Sequence, residues 1–196
     1  MKKIAFVLGN GESRRNIDPA ALTQYGSVYG CNALYRTFSP DVLVATDHGI
    51  SREIQESGYS RQHRFYTRRP LKDSNANVIP RSYFGYSSGP AAAGIACDDG
   101  YSCIYLLGFD LGPSAAGRFN NVYAGTPHYK PMGADPTFTG NWQRQLVGLM
   151  DKFYQVQFNR VMGSETAVVQ EFVMRKNFQA VPLADFVQRL NNAKGF

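Results

Sequence analysis

The chain has 196 residues, with only three cysteines and three histidines, and neither set is spaced to hold a metal. With no CxxC and no H-x-x-x-H, zinc-finger and zincin chemistry is not indicated. Cys31, Cys97 and Cys103 are an odd count, which argues for a reducing compartment over a disulfide framework. Cys31 has no identifiable partner, so no catalytic triad is read. A D-x-D pair of the kind that holds a divalent ion and a diphosphate in many glycosyltransferases is also missing. No apolar run approaches the roughly 18 residues of a membrane span. The first apolar run is too short for a signal h-region and lacks an A-x-A site. The expectation is a soluble, cytoplasmic protein. Repeats, low-complexity tracts and a domain linker are absent, so one domain over 1–196 is expected.

What is present is globular: 43% hydrophobic and 18% charged residues. A net charge of +6 and a pI near 9.3 favour an anionic partner such as a nucleotide or a phosphorylated sugar. Apolar runs bounded by turns recur at Ile4–Leu8, Ser27–Cys31, 41–45, 63–66, 102–107 and 156–161, and these read as strands. Helical stretches are expected at 19–25, with proline at the start, and at 33–38, 89–98, 142–153 and 182–190. Alternating strands and helices predict a Rossmann-like three-layer α/β/α fold with a mostly parallel sheet. Segments 67–83 and 111–141 resist the pattern and read as lid-like loops, the second long enough to be a binding loop or an insertion.

The run Ile4–Leu8 breaks at once into Gly9-Asn10-Gly11-Glu12-Ser13. Arg14 stands where a dinucleotide fingerprint has its third glycine, and no P-loop is present. The segment is either an ordinary turn or a loop where backbone approaches an anion. Cys31-Asn32, Thr46-Asp47-His48 and Gly108-Phe109-Asp110 end the other strands. In a parallel sheet such ends share one edge and can converge on one crevice. His48 follows Asp47 in an expected strand-end loop. His128, between Pro127 and Tyr129 in the long loop, is a candidate general base, or else a solvated loop residue. Tyr123 and Tyr129 either donate to a leaving phosphate or pack the loop. The basic, aromatic stretch 61–69 has the look of a nucleic-acid groove, but it is better read as a strand and the start of a lid.

In order, GNGESRRNID, YGCN, SSG, IYLLGFDL and a loop containing HY resemble the bacterial sialyltransferases that use CMP-sialic acid. The segment SPDVLVATDHG also resembles the related flagellin-modification proteins and pterin pyrophosphokinases. The sialyltransferase resemblance implies a metal-independent, inverting transfer of a sugar from a nucleotide-sugar, CMP-linked, to the hydroxyl of a glycan or other acceptor. It implies that Gly9, Asn10 and Gly11 lie against phosphate and ribose, and that Asn32 contacts the donor. Ser87, Ser88 and Gly89 would line its phosphate or carboxylate, while Gly108 and Asp110 would hold ribose or base. The departures are specific. Asp47 stands in place of a strand-three asparagine, and Gly112 in place of a tyrosine, which shifts leaving-group assistance to Tyr123, Tyr129 or Arg118. Met132 occupies the catalytic histidine's place, so either His128 is the base in a shifted register or the base is gone. The pyrophosphokinase alternative would have Asp47 and Asp110 hold magnesium; a third reading is a non-catalytic nucleotide-binding protein.

Overall fold

The computed structural model describes residues 3–164, 166–192 and 196. Among them, strands β1 (Ile4–Leu8), β2 (Ser27–Cys31), β3 (Val42–Ala45), β4 (Phe65–Thr67), β5 (Asn77–Val78), β6 (Cys103–Leu107), β7 (Gln157–Met162) and β8 (Phe178–Pro182) form one sheet. Its order is β5-β4-β3-β2-β1-β6-β7-β8, and every neighbouring pair is parallel. The sheet is covered on both faces, and this is why its central strands are apolar without alternation. The fold is Rossmann-like α/β.

Successive side chains of each strand go to opposite layers. Val7, Val44 and Leu106 face a core shared with α4 (Ser88–Asp98) and α5 (Gly140–Lys152). Phe6, Leu43 and Leu107 face the other, shared with α2 (His48–Glu56) and α7 (Leu183–Asn191) through Ile50, Ile54 and Phe186. Helix α4 is alanine-rich because it lies close on the sheet centre; Ala91, Ala92 and Ala93 are fully buried. Short helices α1 (Pro19–Leu22), α3 (Tyr59–Gln62) and α6 (Gln170–Val173) join these layers. Among the described residues no helix is long and apolar enough to cross a membrane.

The sheet expected to be mostly parallel is parallel throughout among the described residues, while several local expectations differ. The segment 67–83 is no free lid: it contains β5 and a 3-10 turn at Arg81–Tyr83, and Ile79 N donates to Thr67 O at 2.9 Å. Residues 33–38 form only a 3-10 turn, Asn32–Arg36. Helix α2 begins at His48 where a strand-end loop was expected, and Pro182 closes β8 instead of opening the last helix.

Candidate functional site

The strand order reverses between β1 and β6, and at such a point an open α/β sheet has its crevice. The two strands end level, Leu8 beside Leu107. Beyond them Gly9 N donates to Leu107 O and Gly11 N to Gly108 O, both at 2.8 Å. A methyl on Gly9 would lie 2.6 Å from Gly108 O, and one on Gly11 would enter the Asp110 carboxylate. These glycines are therefore demanded by the joint between two strand ends. Of the two readings of this segment, a turn or a loop where backbone approaches an anion, the first has these contacts behind it: Gly108 and the Asp110 carboxylate fill the space that a side chain would need. Gly108 itself sits at φ +69°, a conformation that favours glycine.

Buried charge fastens the joint. Asp110 accepts hydrogen bonds from Ser13 N (3.0 Å), from Ser13 Oγ and from Thr166 Oγ1 (3.2 Å). Below it, buried Arg160 donates to the carbonyls of Phe109 (2.9 Å), Ala167 (2.8 Å) and Asp110 (3.0 Å). Burial pushes the Arg160 guanidinium down to about 10, against the opposing pull of the Asp110 charge. Arg14, also buried, donates to Gly9 O and, at 3.0 Å, to Tyr123 Oη.

Over this floor lies a cavity of about 450 Å³, bordered by Gly9, Asn10, Gly11, Gly108 and Asp110. Asn32, Asp47, Ser87, Ser88 and Gly89 border it too, so all ten positions read as nucleotide-binding meet in one space. Several have other partners. Asn10 Oδ1 accepts from the buried Cys31 thiol (3.7 Å), which burial pushes up to about 12. Ser88 Oγ accepts from Thr46 N (2.9 Å) and fixes the start of α4 to the end of β3. Ser87 N donates to Gln145 Oε1 (2.9 Å), and Gly89 leaves room for the Phe109 ring. Asn32 Oδ1 is buried without a hydrogen-bond partner, and the Asp47 carboxylate caps no amide of α2. The stretch Gly85–Gly89 spells G-x-S-x-G, yet it follows a 3-10 turn instead of a strand and is no nucleophile elbow.

The expected loop 111–141 runs only to residue 139, because α5 already begins at Gly140; 111–139 has no helix or strand, yet it is tied down along its length. Glu12 N donates to Asn120 Oδ1 (2.8 Å), Val122 N to Asn10 O (2.8 Å), and Arg36 Nη1 to Thr126 Oγ1 (3.2 Å). These bonds bring His128 and Tyr129 to the cavity. His128 Nε2 lies 3.0 Å from Glu53 Oε2, and Glu53 also accepts from Tyr35 and from Arg36 (2.8 Å). Burial alone would raise the Glu53 carboxyl; the Tyr35 and Arg36 hydrogen bonds outweigh it and hold it below its ordinary value. Gly49 lets the imidazole lie close, since a methyl there would be 2.6 Å from His128 Nδ1. Tyr129 Oη accepts from Ala33 N (3.3 Å), and burial raises its phenol well above the ordinary value.

Two expected residues are elsewhere. Tyr123 packs behind Tyr129, ring centroids 5.4 Å apart, and does not border the cavity. Arg118 is exposed on a turn and pairs with Asp135 at 3.5 Å, also outside it. The sequence reading missed Phe119, Lys130 and Trp142, which do border it. Lys130 Nζ stands 5.7 Å from the Phe119 ring and has no carboxylate partner among the described residues. A lysine directly after the singled-out His-Tyr pair, and the chain's one tryptophan, were the available signals.

No protein-family model matches the chain, and no curated protein matches it in sequence. Among solved structures the chain is similar to the sialyltransferase CstII from Campylobacter jejuni, in complex with a substrate analogue, cytidine-5'-monophosphate. The identity is 15% and the TM-score 0.47, over 82% of this chain and 79% of that one. So distant a likeness carries no argument about the chemistry of this crevice.

The backbone itself marks the place. Of five described non-glycine residues with positive φ, Asn32 (+53°), Leu111 (+54°) and His128 (+72°) border this one cavity. Such conformations cost energy and persist where the surroundings over-determine them, which is commonest at functional sites. Among the described residues no group of three or more His, Cys, Asp or Glu side chains converges as a metal site. The arrangement can bind an anion, through Lys130 and the α4 start, beside an imidazole able to take a proton.

Proposed function

We propose that the chain is a nucleotide-sugar-dependent glycosyltransferase that works without metal, with a CMP-linked donor as the first candidate. The observation that carries this reading is His128, held on Glu53 at the cavity that Lys130 and the amino end of α4 also face. With Nε2–H directed to Glu53, Nδ1 is the nitrogen that accepts a proton. The acceptor oxygen bonds to the sugar's anomeric carbon as its proton passes to His128, in a single inverting displacement. The bond from that carbon to phosphate oxygen breaks, and the nucleoside monophosphate leaves with the electron pair.

Lys130, the first amides of α4 and the Tyr129 hydroxyl, which all border the cavity, would receive the charge of that phosphate. One such donor in a water-poor site contributes about 3 kcal/mol to lowering a barrier. Asn32 offers its unpartnered Oδ1 to a donor hydroxyl or amino group. Gly9, Asn10, Gly11 and Gly108 would form the floor under ribose and phosphate. In the magnesium reading Asp110 would be a ligand, but Ser13 and Thr166 already occupy its carboxylate.

Thermal melts with CMP, UDP, GDP and ATP, each with and without magnesium, test the reading. Stabilisation by CMP without magnesium is expected. Stabilisation by ATP only with magnesium would favour phosphotransfer, and no shift with any nucleotide would sink both. With a CMP-sugar donor, unchanged transfer by His128→Ala would remove the base from its role.

A further inference from the structure

Asp47 borders two cavities. The second, of about 350 Å³, lies between the first turns of α2 and the segment that follows β4. Its walls carry Arg52, Arg68, Arg69 and His48, with Asp47 as the lining carboxylate. Arg52 is neutralised by Glu56 at 2.6 Å. The others are not. Arg68 spends one Nη on Tyr86 O (2.7 Å), and its Nε is buried with no partner. Arg69 makes no side-chain hydrogen bond or ion pair among the described residues, and neither does His48.

The wall is built, not draped. Gln55, 3% exposed, takes Leu71 N (2.7 Å) and Ser74 Oγ (2.9 Å) on Oε1 and donates to Arg69 O (3.3 Å). Ser51 and Thr67, both buried, share a hydrogen bond beneath it at 2.5 Å. A fixed concavity with two unneutralised guanidinium groups, one with a buried unmet donor, fits a planar or tetrahedral oxyanion.

We infer that this second cavity is a binding site for the carboxylate or phosphate of a sugar. On the glycosyltransferase reading, it is the acceptor subsite. The anionic group rests on Arg68 and Arg69, and the acceptor hydroxyl reaches past Asp47 to the donor crevice. An acceptor bound there is acidic; a neutral sugar has nothing to neutralise those arginines.

Calorimetric titration of the full chain with glucuronate and glucose 6-phosphate, and with glucose as the neutral control, tests this. Each is titrated with and without saturating CMP. One or both anionic sugars should bind whether or not CMP is present, with glucose at least tenfold weaker; the better of the two identifies carboxylate or phosphate. Arg69→Ala should weaken that binding at least tenfold and leave CMP affinity within twofold, whereas Lys130→Met should do the opposite. Equal binding of glucose, loss of the anionic sugar on adding CMP, or indifference to Arg69→Ala overturns the site. Arg69-dependent binding in a protein that ignores CMP keeps the site and removes the donor reading instead.

Discussion

The floor of the crevice and its cover are held by different means. The floor is main chain locked to main chain at Gly9–Leu107 and Gly11–Gly108, with Arg160 and Asp110 buried beneath. The cover, 111–139, has no ladder of its own and is pinned by separate bonds to Glu12, Asn10, Arg36 and Glu53. Fold and chemistry are thereby separated. Damage to the floor should cost stability, and damage to the cover should cost activity.

Arg160→Met should have the largest effect. It leaves three carbonyls without their donor and the buried Asp110 charge without its counterweight, a loss of roughly 3–5 kcal/mol in urea denaturation. A fully stable Arg160→Met would mean that the floor is not what holds the two halves of the sheet together. His128→Gln should do the reverse, lowering transfer roughly 10²–10⁴-fold while the melting temperature stays nearly unchanged. A large stability loss there would erase the distinction. Lys130→Met should weaken nucleotide binding roughly tenfold, the scale of one hydrogen bond to a charged group; wild-type affinity by calorimetry would exclude Lys130 from the phosphate.

The smallest effect is one of pH. The Glu53 carboxyl is held below its ordinary value in the folded protein. Its contribution is therefore complete above that ordinary value, about 4.3, and fades as pH falls through the lower folded one. Acid should release the tether at 126–129 before it opens the sheet. Hydrogen exchange at these amides should rise while far-ultraviolet dichroism is unchanged. Simultaneous loss of both signals would show floor and cover to be one cooperative unit.

How much was legible follows the same division. Strands such as Ile4–Leu8 and Cys103–Leu107 are readable because burial on both faces demands unbroken apolar runs. Asn77–Val78 is not, because both residues are exposed and only pairing with β4 makes them a strand. Helix α2 hides behind polar residues, with Ile50 and Ile54 as its apolar mark. In the site, the residues read as nucleotide-binding follow strand ends or open α4, and the topology brings those together. The cover's course depends on tertiary tethers, so a pattern read along the chain could not tell Lys130, which faces the cavity, from Arg118. The turn at Gly117 (φ +69°) carries Arg118 out towards Asp135.

The glycine joint has a consequence for anyone wishing to change what this protein accepts. At Gly9, Gly11 and Gly108 there is no side chain to exchange and no room to add one. The base of the crevice is thus closed to redesign by substitution. A library aimed at new ligands belongs in the overhanging stretch from Phe119 to Thr137, where side chains form the wall and there is no backbone ladder to lose.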